Sequence, residues 1–453
     1  MILRPIQTGF AVALSLVLAG LSVFAADDRG PTDDALLQGA ASRIDEHRKA
    51  DGVLIVVDGS GNPIPGAQVT IEQTRHAFLF GCNIFLFNRV GEPGDETAYR
   101  NQFAELFNFA TLGFYWPSYE RRQGEPQHDH ASQVAQWCKQ HGITTKGHPL
   151  AWNFADPSWL PDDVGQIRTL QMERIRDCVE RFRGTIDVWD VVNEATHFER
   201  AEFARNSPKL TRMWTETGRI EFVDECFRTA RAASASATLL INDYRVDPAY
   251  AELIDQLTQK AGQRPFDVIG IQSHMHRDVW SNRRLWEACE RFARFGVPLH
   301  FTELTVLSGE PGWEKPRAPG SWPSTPDGER QQQEAVSRIY TMLFSHPSVT
   351  AITWWDFSDR NAWQGAPAGL VREDLTPKPA YTALKELVKN QWWTRLTQTA
   401  DADGRVTFRG FLGDYRASAR VGEGEVVELQ FTLAKNDANE QRIVIGTGAP
   451  RND

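Results

Sequence analysis

Eight apolar segments alternate with amphipathic helical segments along the chain, and this alternation constrains the fold more than any other feature of the sequence. Two of the helical segments, 166–182 and 219–230, carry their apolar residues on one face. Successive βα units predict an α/β protein with a closed (β/α)8 TIM barrel, whose functional site lies at the C-terminal ends of the strands. The predicted strands are 78–87, 107–116, 144–152, 187–195, 238–246, 266–275, 298–306 and 349–358.

The fourth and seventh predicted strands each place a glutamate at that end of the barrel. The fourth strand is rich in β-branched residues and closes with Asn193 and Glu194, and the seventh carries Glu303 near its end. Two carboxyl groups in one cleft suit glycoside hydrolysis, in which one protonates the leaving oxygen and the other attacks the anomeric carbon. The alternative is a pair of unrelated structural carboxylates that only bond to neighbouring backbone.

Polar and aromatic residues also follow four other predicted strands, which favours a site over the structural alternative. A single histidine at such a place is more often a buried structural residue, but several strand ends of this kind predict a binding cleft. These residues are His148 and Trp152 on the third strand, Asn242, Asp243 and Tyr244 on the fifth, Gln272 and His274 on the sixth, and Trp355 and Asp356 on the eighth.

The composition narrows the class of partner. The formal net charge of −10 argues against nucleic acid and against anionic membrane surfaces. The chain has 15 tryptophans, and aromatic faces offer sugar rings a flat apolar platform, so a polysaccharide or oligosaccharide is the expected partner. The 5 cysteines show no metal-binding spacing such as a CxxC pair, and we expect neither a metal nor a cofactor. We also expect a monomer.

The first 26 residues have the pattern of a secretory signal peptide. Arg4 precedes an apolar run from 10 to 24, which is followed by the small residues Ala25 and Ala26. The run is shorter than a typical membrane-spanning helix. We therefore expect cleavage near residue 26 and a secreted or periplasmic mature protein.

Strand patterns outside the barrel predict a small accessory β domain. Near the N-terminus, strands at 52–58 and 67–73 flank a turn rich in Gly and Pro, which indicates a β-hairpin. Further strands with Gly-rich turns lie between 406 and 433. Both pieces leave sheet edges that need covering, so we expect them to combine. The predicted organisation is a signal peptide (1–26), an N-terminal lead and β-hairpin (27–77), a catalytic barrel (78–391) and a C-terminal small β domain (392–453).

Several of these stretches resemble glycoside hydrolase family ten, the endo-β-1,4-xylanase family, over about residues 78–387. Trp189-Asp-Val-Val-Asn-Glu194 resembles the acid/base motif of that family, and Thr302-Glu-Leu304 resembles its nucleophile motif. The resemblance implies that Glu194 is the acid/base and Glu303 the nucleophile. It also implies a (β/α)8 fold and a xylan-like substrate.

The same resemblance implies a set of substrate-binding residues. Lys146-Gly-His148 resembles the segment whose histidine contacts the sugar at the cleaved bond, and Asn193 matches the residue that holds the substrate 2-hydroxyl. Ile241-Asn-Asp-Tyr244 and Ile271-Gln-Ser-His274 match two further family segments. The substrate-binding set is His148, Trp152, Asn193, Tyr244, Gln272 and His274, with Trp355 and Trp363 where the family places tryptophans over the bound sugars.

The chain also departs from the family pattern. Thr111-Leu-Gly-Phe-Tyr-Trp116 stands where the family has Glu-Asn-Glu-Met-Lys-Trp, and Trp152-Asn-Phe-Ala155 stands where it has Trp-His-Ser-Gln. Thr305 replaces an aspartate beside the nucleophile. We expect the replacements at 111–116 and 152–155 to make the subsite for the second sugar on the non-reducing side apolar and aromatic. A site without polar partners does not select for a sugar's hydroxyl groups, so plain xylan is not the expected best substrate.

The sequence therefore favours a secreted, retaining glycoside hydrolase of the endo-1,4-β-xylanase type. It would cleave a β-linked, β-1,4 xylan-like polysaccharide or oligosaccharide through two carboxyl groups. Two alternatives stay open. One is a carbohydrate-binding barrel without catalysis, and the other is a glycosidase of the same fold that acts on a different β-glycan.

Overall fold

A computed structural model describes residues 32–312, 321–424, 426–435 and 439–446. The predicted signal peptide lies outside these ranges. None of the helices within them combines the length and apolarity that a membrane crossing needs.

The described strands and helices follow one another in the order expected for repeated βα units. The strands are β1 Lys49–Asp58, β2 Gln68–His76, β3 Leu79–Asn83, β4 Phe109–Gly113, β5 Thr144–His148, β6 Val188–Asn193, β7 Thr238–Asp243, β8 Val268–Met275, β9 Leu299–Val306, β10 Val349–Trp354, β11 Arg395–Thr399, β12 Arg405–Phe411, β13 Gly413–Arg420, β14 Val427–Leu433 and β15 Glu440–Ile445. The α-helices are α1 Asp33–Gln38, α2 Ala40–Arg48, α3 Pro93–Leu106, α4 Trp116–Tyr119, α5 His128–Gln140, α6 Val164–Arg181, α7 Ala201–Asn206, α8 Pro208–Thr217, α9 Arg219–Ala233, α10 Pro248–Ala261, α11 Asn282–Ala293, α12 Pro326–Ser345 and α13 Pro379–Glu386.

The predicted barrel is confirmed. Strands β3 to β10 lie side by side in chain order, and β10 closes the barrel beside β3. All neighbouring pairs in the barrel are parallel, as the intervening helices require. Most strands end a few residues earlier than predicted. Every residue of β6 is buried, since helices cover its outer side and other side chains fill the barrel.

The predicted N-terminal β-hairpin is wrong. Strand β1 lies in a three-stranded sheet between β12 and β15, whereas β2 lies in a four-stranded sheet between β11 and β13. The two strands therefore pair with the C-terminal segment rather than with each other. Each has an alternating apolar face, and both faces are covered when the two sheets share one core. That core includes Leu54, Val56, Val69, Ile71, Val406, Phe408, Tyr415, Ala417, Leu433 and Ile443.

The expected accessory β domain from both ends of the chain is thus present, with a different strand pairing. The sequence pattern missed one of its strands, β11, which is short and largely exposed.

Arg48 joins this β domain to the barrel. Its guanidinium is buried, and it donates to the carbonyl of Phe344 at 2.6 Å, to that of Val349 at 2.7 Å and to that of His346. Those carbonyls lie at the end of α12 and the start of β10, where the helix leaves its last carbonyls without partners inside the helix. The Arg48 side chain therefore supplies hydrogen-bond donors to the three carbonyls at the junction between α12 and the last barrel strand.

We expect Arg48→Met to lower the free energy of unfolding by about 3 kcal/mol, because three buried carbonyls lose charged donors. The measurement is urea unfolding followed by intrinsic fluorescence. The matched control is Arg420→Met at the exposed end of β13, which should change stability by less than about 0.5 kcal/mol. Equal effects of the two substitutions would contradict this role of Arg48.

Candidate active site

Glu194 lies at the mouth of the barrel, directly after β6. Its backbone is left-handed, with φ 57° and ψ 39°, which is uncommon for a residue other than glycine. The backbone N–H of Glu194 donates to the carbonyl of Asn242 at 2.8 Å. The side chain is 7% exposed, forms an ion pair with Arg200 and accepts from Gln272 Nε2 at 3.2 Å. The turn therefore holds a carboxyl group in a largely water-excluded position.

Glu303 lies on β9 and is held on both carboxylate oxygens. Its Oε1 accepts from Asn242 Nδ2 at 2.8 Å, and its Oε2 lies 3.0 Å from His274 Nε2. His148 Nε2 is 3.9 Å from Oε1. Burial acts to raise the pKa of Glu303, but His148, His274 and Lys146 outweigh burial and hold the pKa below its usual value. Glu303 is therefore suited to be ionised.

Glu194 has the opposite electrostatic setting. Burial raises its pKa to about 7, and the neighbouring carboxylates Asp243 and Glu303 act in the same direction against Arg200. Near neutral pH, Glu194 is thus close to half-protonated while Glu303 carries a charge. Carboxyl groups whose surroundings push their pKa values apart are the usual arrangement for one acid and one nucleophile.

Amide side chains connect the two glutamates. Asn242 Nδ2 donates to Asn193 Oδ1 at 2.8 Å as well as to Glu303, and Gln272 Nε2 donates to Asn193 Oδ1 at 3.2 Å as well as to Glu194. Asn242 itself accepts from Thr302 Oγ1 at 2.7 Å. The structure therefore brings Asn193 and Gln272 together with both predicted catalytic residues.

A buried ionic chain orients His148. Its Nδ1 lies 2.6 Å from Asp190 Oδ2, and that same oxygen lies 2.8 Å from Lys146 Nζ. Burial acts to raise the pKa of Asp190, but Lys146 and His148 lower it further than burial raises it. The contact with Asp190 leaves Nε2 of His148 directed at Glu303. Gly147 allows the close packing here, because a Cβ atom at this residue would lie 2.1 Å from the Trp189 ring.

Aromatic rings wall a cleft of about 350 Å³ over these groups. Trp355 contacts His148 and His274 edge-on, with ring centroids 5.5 and 5.8 Å apart, and the Trp363 ring lies 4.6 Å from that of His274. Trp152 stacks on Phe154 at 4.5 Å. The predicted site residues that line the cleft are His148, Trp152, Asn193, Glu194, Gln272, His274, Glu303, Trp355 and Trp363.

Tyr244 differs from the other predicted residues because it does not line this cleft. Its hydroxyl lies 2.8 Å from His197 Nδ1, and the Arg200 guanidinium lies over its ring at 5.2 Å. Arg200 therefore contacts both Tyr244 and Glu194. Within the described ranges, no group of three or more His, Cys, Asp or Glu side chains could hold a metal ion.

Comparison with known proteins decides the family. A family model described as glycosyl hydrolase family 10 matches residues 82–387, which is more than half of the chain. The chain belongs to glycosyl hydrolase family 10. The resemblance predicted from the sequence motifs is thus confirmed.

Two relatives match the chain at low sequence identity. The chain is 27% identical over 395 residues to anti-sigma-I factor RsgI6 of Acetivibrio thermocellus, and the match covers 85% of this chain but only 47% of RsgI6. It is 25% identical over 305 residues to endo-1,4-beta-xylanase B of Thermotoga neapolitana, covering 63% of this chain and 82% of that protein.

A solved structure of xylanase 10B from Thermotoga petrophila in complex with xylobiose has the same fold. Its TM-score is 0.57 at 24% identity, and the match covers 70% of this chain and 95% of that one. The family-10 barrel thus accounts for about two thirds of the present chain, and the accessory β domain lies mostly outside the matched region.

Two of the replaced family residues lie in the core, contrary to the expectation that they shape the subsite. Phe114 is fully buried, with its ring 4.7 Å from Tyr119 and 5.0 Å from Trp189. Asn153 is buried and donates to the Phe198 carbonyl and to Thr211 Oγ1. Tyr115, in contrast, lines the cleft and lies 5.5 Å from the His148 ring. The aromatic side chains that the replaced stretches bring to the cleft are thus Tyr115 and Phe154.

The predicted site set omitted several residues in or beside the cleft. Arg200, the ion-pair partner of Glu194, was missed because it lies in a loop with no strand signal. Asn83 and Phe85 line the cleft at the end of the first barrel strand, where no carboxylate marks them. Asp356 had a signal, because it ends the eighth predicted strand. It lines the cleft, its Oδ1 accepts from the Trp363 N–H at 3.1 Å, and burial raises its pKa to about 7.

We expect Arg200→Met to raise the pKa of Glu194 above its value in the parent protein, because the arginine charge favours the ionised carboxylate. The measurement is a pH titration of ¹³C-labelled glutamate side chains by NMR, with Glu194 assigned through Glu194→Gln. Arg205→Met is the control, since Arg205 is exposed and lies near the C-terminal end of α7, the helix that begins directly after Arg200. An unchanged titration of Glu194 in Arg200→Met would show that the ion pair does not set its acidity.

Proposed function

We propose that this protein is a retaining glycoside hydrolase that cleaves a β-linked, xylan-like polysaccharide or oligosaccharide. The observation that carries the proposal is the pair of buried carboxyl groups, Glu194 and Glu303, whose pKa values are shifted in opposite directions in one cleft. Membership of family 10 and the aromatic walls of the cleft support a sugar chain as the substrate.

The first step uses the charge on Glu303 and the proton on Glu194. Glu303 attacks the anomeric carbon, while Glu194 gives its proton to the departing glycosidic oxygen. His148, His274 and Asn242 fix the attacking carboxylate before the substrate arrives, so little reorganisation is needed during the attack. Asn193 accepts from Asn242 and Gln272, which contact Glu303 and Glu194, and the family resemblance assigns it to the sugar 2-hydroxyl.

The second step follows from the same electrostatics. Once Glu303 is esterified to the sugar, its negative charge is gone, and one of the influences that raise the pKa of Glu194 disappears. Glu194 then ionises more readily and can remove a proton from the water that attacks the glycosyl-enzyme. One residue thus acts as acid and then as base because its neighbour changes charge.

A second candidate is a carbohydrate-binding barrel that does not catalyse. The observation that favours it is the match over 85% of this chain to RsgI6, which is named as an anti-sigma-I factor. Binding alone does not require two carboxyl groups with opposed acidities, so we place hydrolysis first. Turnover of any β-linked xylo-oligosaccharide by the purified protein separates the two candidates.

We also propose that the protein acts outside the cytoplasmic membrane and as a monomer. The pattern of residues 1–26 supports export. Mass spectrometry of the protein recovered from the producing cells tests cleavage near residue 26, and light scattering tests the oligomeric state.

We expect the two glutamates to respond differently to substrates with good and poor leaving groups. Glu303→Ala should abolish hydrolysis of every glycoside, since no covalent intermediate can form. Glu194→Ala should slow hydrolysis of an unactivated xylo-oligosaccharide by about 10²–10⁴-fold. For a dinitrophenyl xylobioside, Glu194→Ala should leave formation of the glycosyl-enzyme largely intact, because that leaving group needs no proton. Pre-steady-state release of dinitrophenol measures this step.

The stereochemistry of the product gives an independent control. The product formed first should retain the β configuration, which proton NMR detects before mutarotation. Retention requires the carboxyl groups to lie roughly 5–5.5 Å apart, whereas inversion requires a wider gap for a water molecule. An α-configured first product, or equal loss of both substrates in Glu194→Ala, would show that these roles are wrong.

We expect weak hydrolysis of plain linear xylan relative to a decorated xylan. Leu112 and Tyr115 stand where the family carries polar side chains, and each lost hydrogen bond to a sugar normally contributes about 1 kcal/mol. The measurement is kcat/KM on linear and on branched xylo-oligosaccharides of equal backbone length. A higher kcat/KM on the linear chain would refute this expectation.

A further inference from the structure

A second cavity of about 170 Å³ lies beside the catalytic cleft. It is bounded by the segment after β3, by the end of β4 and by α5 with the loop that precedes it. Phe85 and Tyr115 line both this cavity and the catalytic cleft, so the two spaces share a wall. We call the second cavity the side pocket. The residues that matter for its chemistry are Phe85, Arg89, Leu112, Tyr115, Arg121 and His130.

The charged residues that line the side pocket are two arginines, Arg89 and Arg121, and no aspartate or glutamate is among the lining residues. His130 also lines the pocket, and burial and Arg89 lower its pKa, which favours its neutral form. Neither arginine forms an ion pair with a carboxylate in the part of the chain that the structure describes. Arg89 donates to Gln127 Oε1 at 3.2 Å, which keeps the guanidinium at the pocket. This concentration of positive charge contrasts with the net charge of −10 of the whole chain.

The interior of the side pocket suits a sugar ring. Leu112, Ala131 and Val134 supply apolar surface, and Phe85 and Tyr115 supply aromatic rings. Pyranose rings have apolar C–H faces that lie against such surfaces, while their polar edges need donors. At this wall Leu112 and Tyr115 stand where the family pattern has an asparagine and a lysine, so those polar side chains do not fill the space.

A ligand that combines an apolar ring with a carboxylate satisfies both halves of the pocket. Guanidinium groups bind carboxylates through charge-assisted hydrogen bonds, often in bidentate geometry. A neutral sugar would offer the two guanidinium groups no opposite charge. The side pocket and the cleft adjoin at Phe85 and Tyr115, so a branch in the pocket joins a chain in the cleft by passing around these two rings.

We propose that the side pocket binds a uronic acid residue carried by the β-linked glycan whose main chain lies in the catalytic cleft. This inference rests on the proposed function of that cleft, which it extends to acidic, branched glycans. The carboxylate of the uronic acid is held by Arg89 and Arg121, and its ring lies against Phe85 and Tyr115.

The test compares two ligands that differ only in charge. One is a xylo-oligosaccharide with a glucuronic acid branch on the backbone sugar at its non-reducing end, and the other is its carboxyl-reduced form with a glucose branch. Titration calorimetry on Glu303→Ala protein gives the Kd of each ligand without turnover. We expect the acidic ligand to bind about ten-fold more tightly or better, and this preference to fall with added salt.

The variants locate the preference in the side pocket. Arg89→Gln combined with Arg121→Gln should reduce the ratio of the two Kd values to about one. The matched control is Arg122→Gln, which removes an exposed arginine that pairs with Glu125 and does not line the pocket, and it should leave the ratio unchanged. Thermal melting confirms that all variants are folded.

Binding and turnover together separate this inference from the proposed function. Equal Kd values for the two ligands, or a ratio that responds to Arg122→Gln as it does to the double variant, would overturn the side pocket as a uronic acid site. Hydrolysis of the linear oligosaccharide by the parent protein would still support the proposed function in that case. A charge preference that depends on Arg89 and Arg121, without hydrolysis of any ligand, would support the side pocket and refute the enzyme.

Discussion

The buried negative charge of Glu303 is the interaction on which the rest of the site depends. A carboxylate that is 4% exposed stays ionised only if donors and cations replace the water that it has lost. Asn242 and His274 supply the donors, and His148 Nε2 lies 3.9 Å from the carboxylate. These partners come from β7, β8 and β5, so the charge is tolerated only when these three strands are correctly assembled with β9.

The support extends beyond the residues that face the cleft. Lys146 and Asp190 are both fully buried on neighbouring strands, and they fix the ring of His148 without touching the space where a sugar would lie. On the other side, His274 Nδ1 lies 2.9 Å from Thr305 Oγ1, so the side chain that replaces the family's aspartate keeps a polar contact with this histidine. The hydroxyl carries no charge, and the balance of charge around Glu303 therefore rests more heavily on the Lys146 side.

The sequence allowed prediction of features that depend on local pattern. The eight barrel strands were predictable because each is a short apolar run bounded by polar residues, and the two glutamates were predictable because they end such runs. Pairing between distant strands was not predictable, since β1 and β2 carry the same alternation whether they pair with each other or with β12 and β13. Phe114 and Asn153 were misassigned for a related reason. Adjacent residues point in different directions, and only packing decides which of them reaches the cleft.

Residues of the cleft that lie in loops had no comparable signal. Arg200 follows no periodic element, so nothing in its neighbourhood marked it as the partner of Glu194. Two charged residues of the side pocket, Arg89 and Arg121, read as ordinary exposed cations in the sequence. Their place in a pocket depends on Leu112 and Tyr115, which line the same pocket on the side of the cleft. A pocket of this kind is a property of the assembled loops, and no single stretch of sequence contains it.

The accessory β domain, which is built from both ends of the chain, constrains the order in which the chain can fold. Val53 pairs with Glu440, and Ile71 pairs with Ala417, so the first two strands leave the ribosome more than three hundred residues before their partners. The whole barrel is synthesised in the interval, and it can close first because its strands pair with near neighbours. Until the C-terminal strands have emerged, β1 and β2 expose unpaired edges, which are templates for association with other chains. A nascent chain of this protein therefore has its greatest tendency to aggregate after the catalytic unit is complete and before the last strand has emerged.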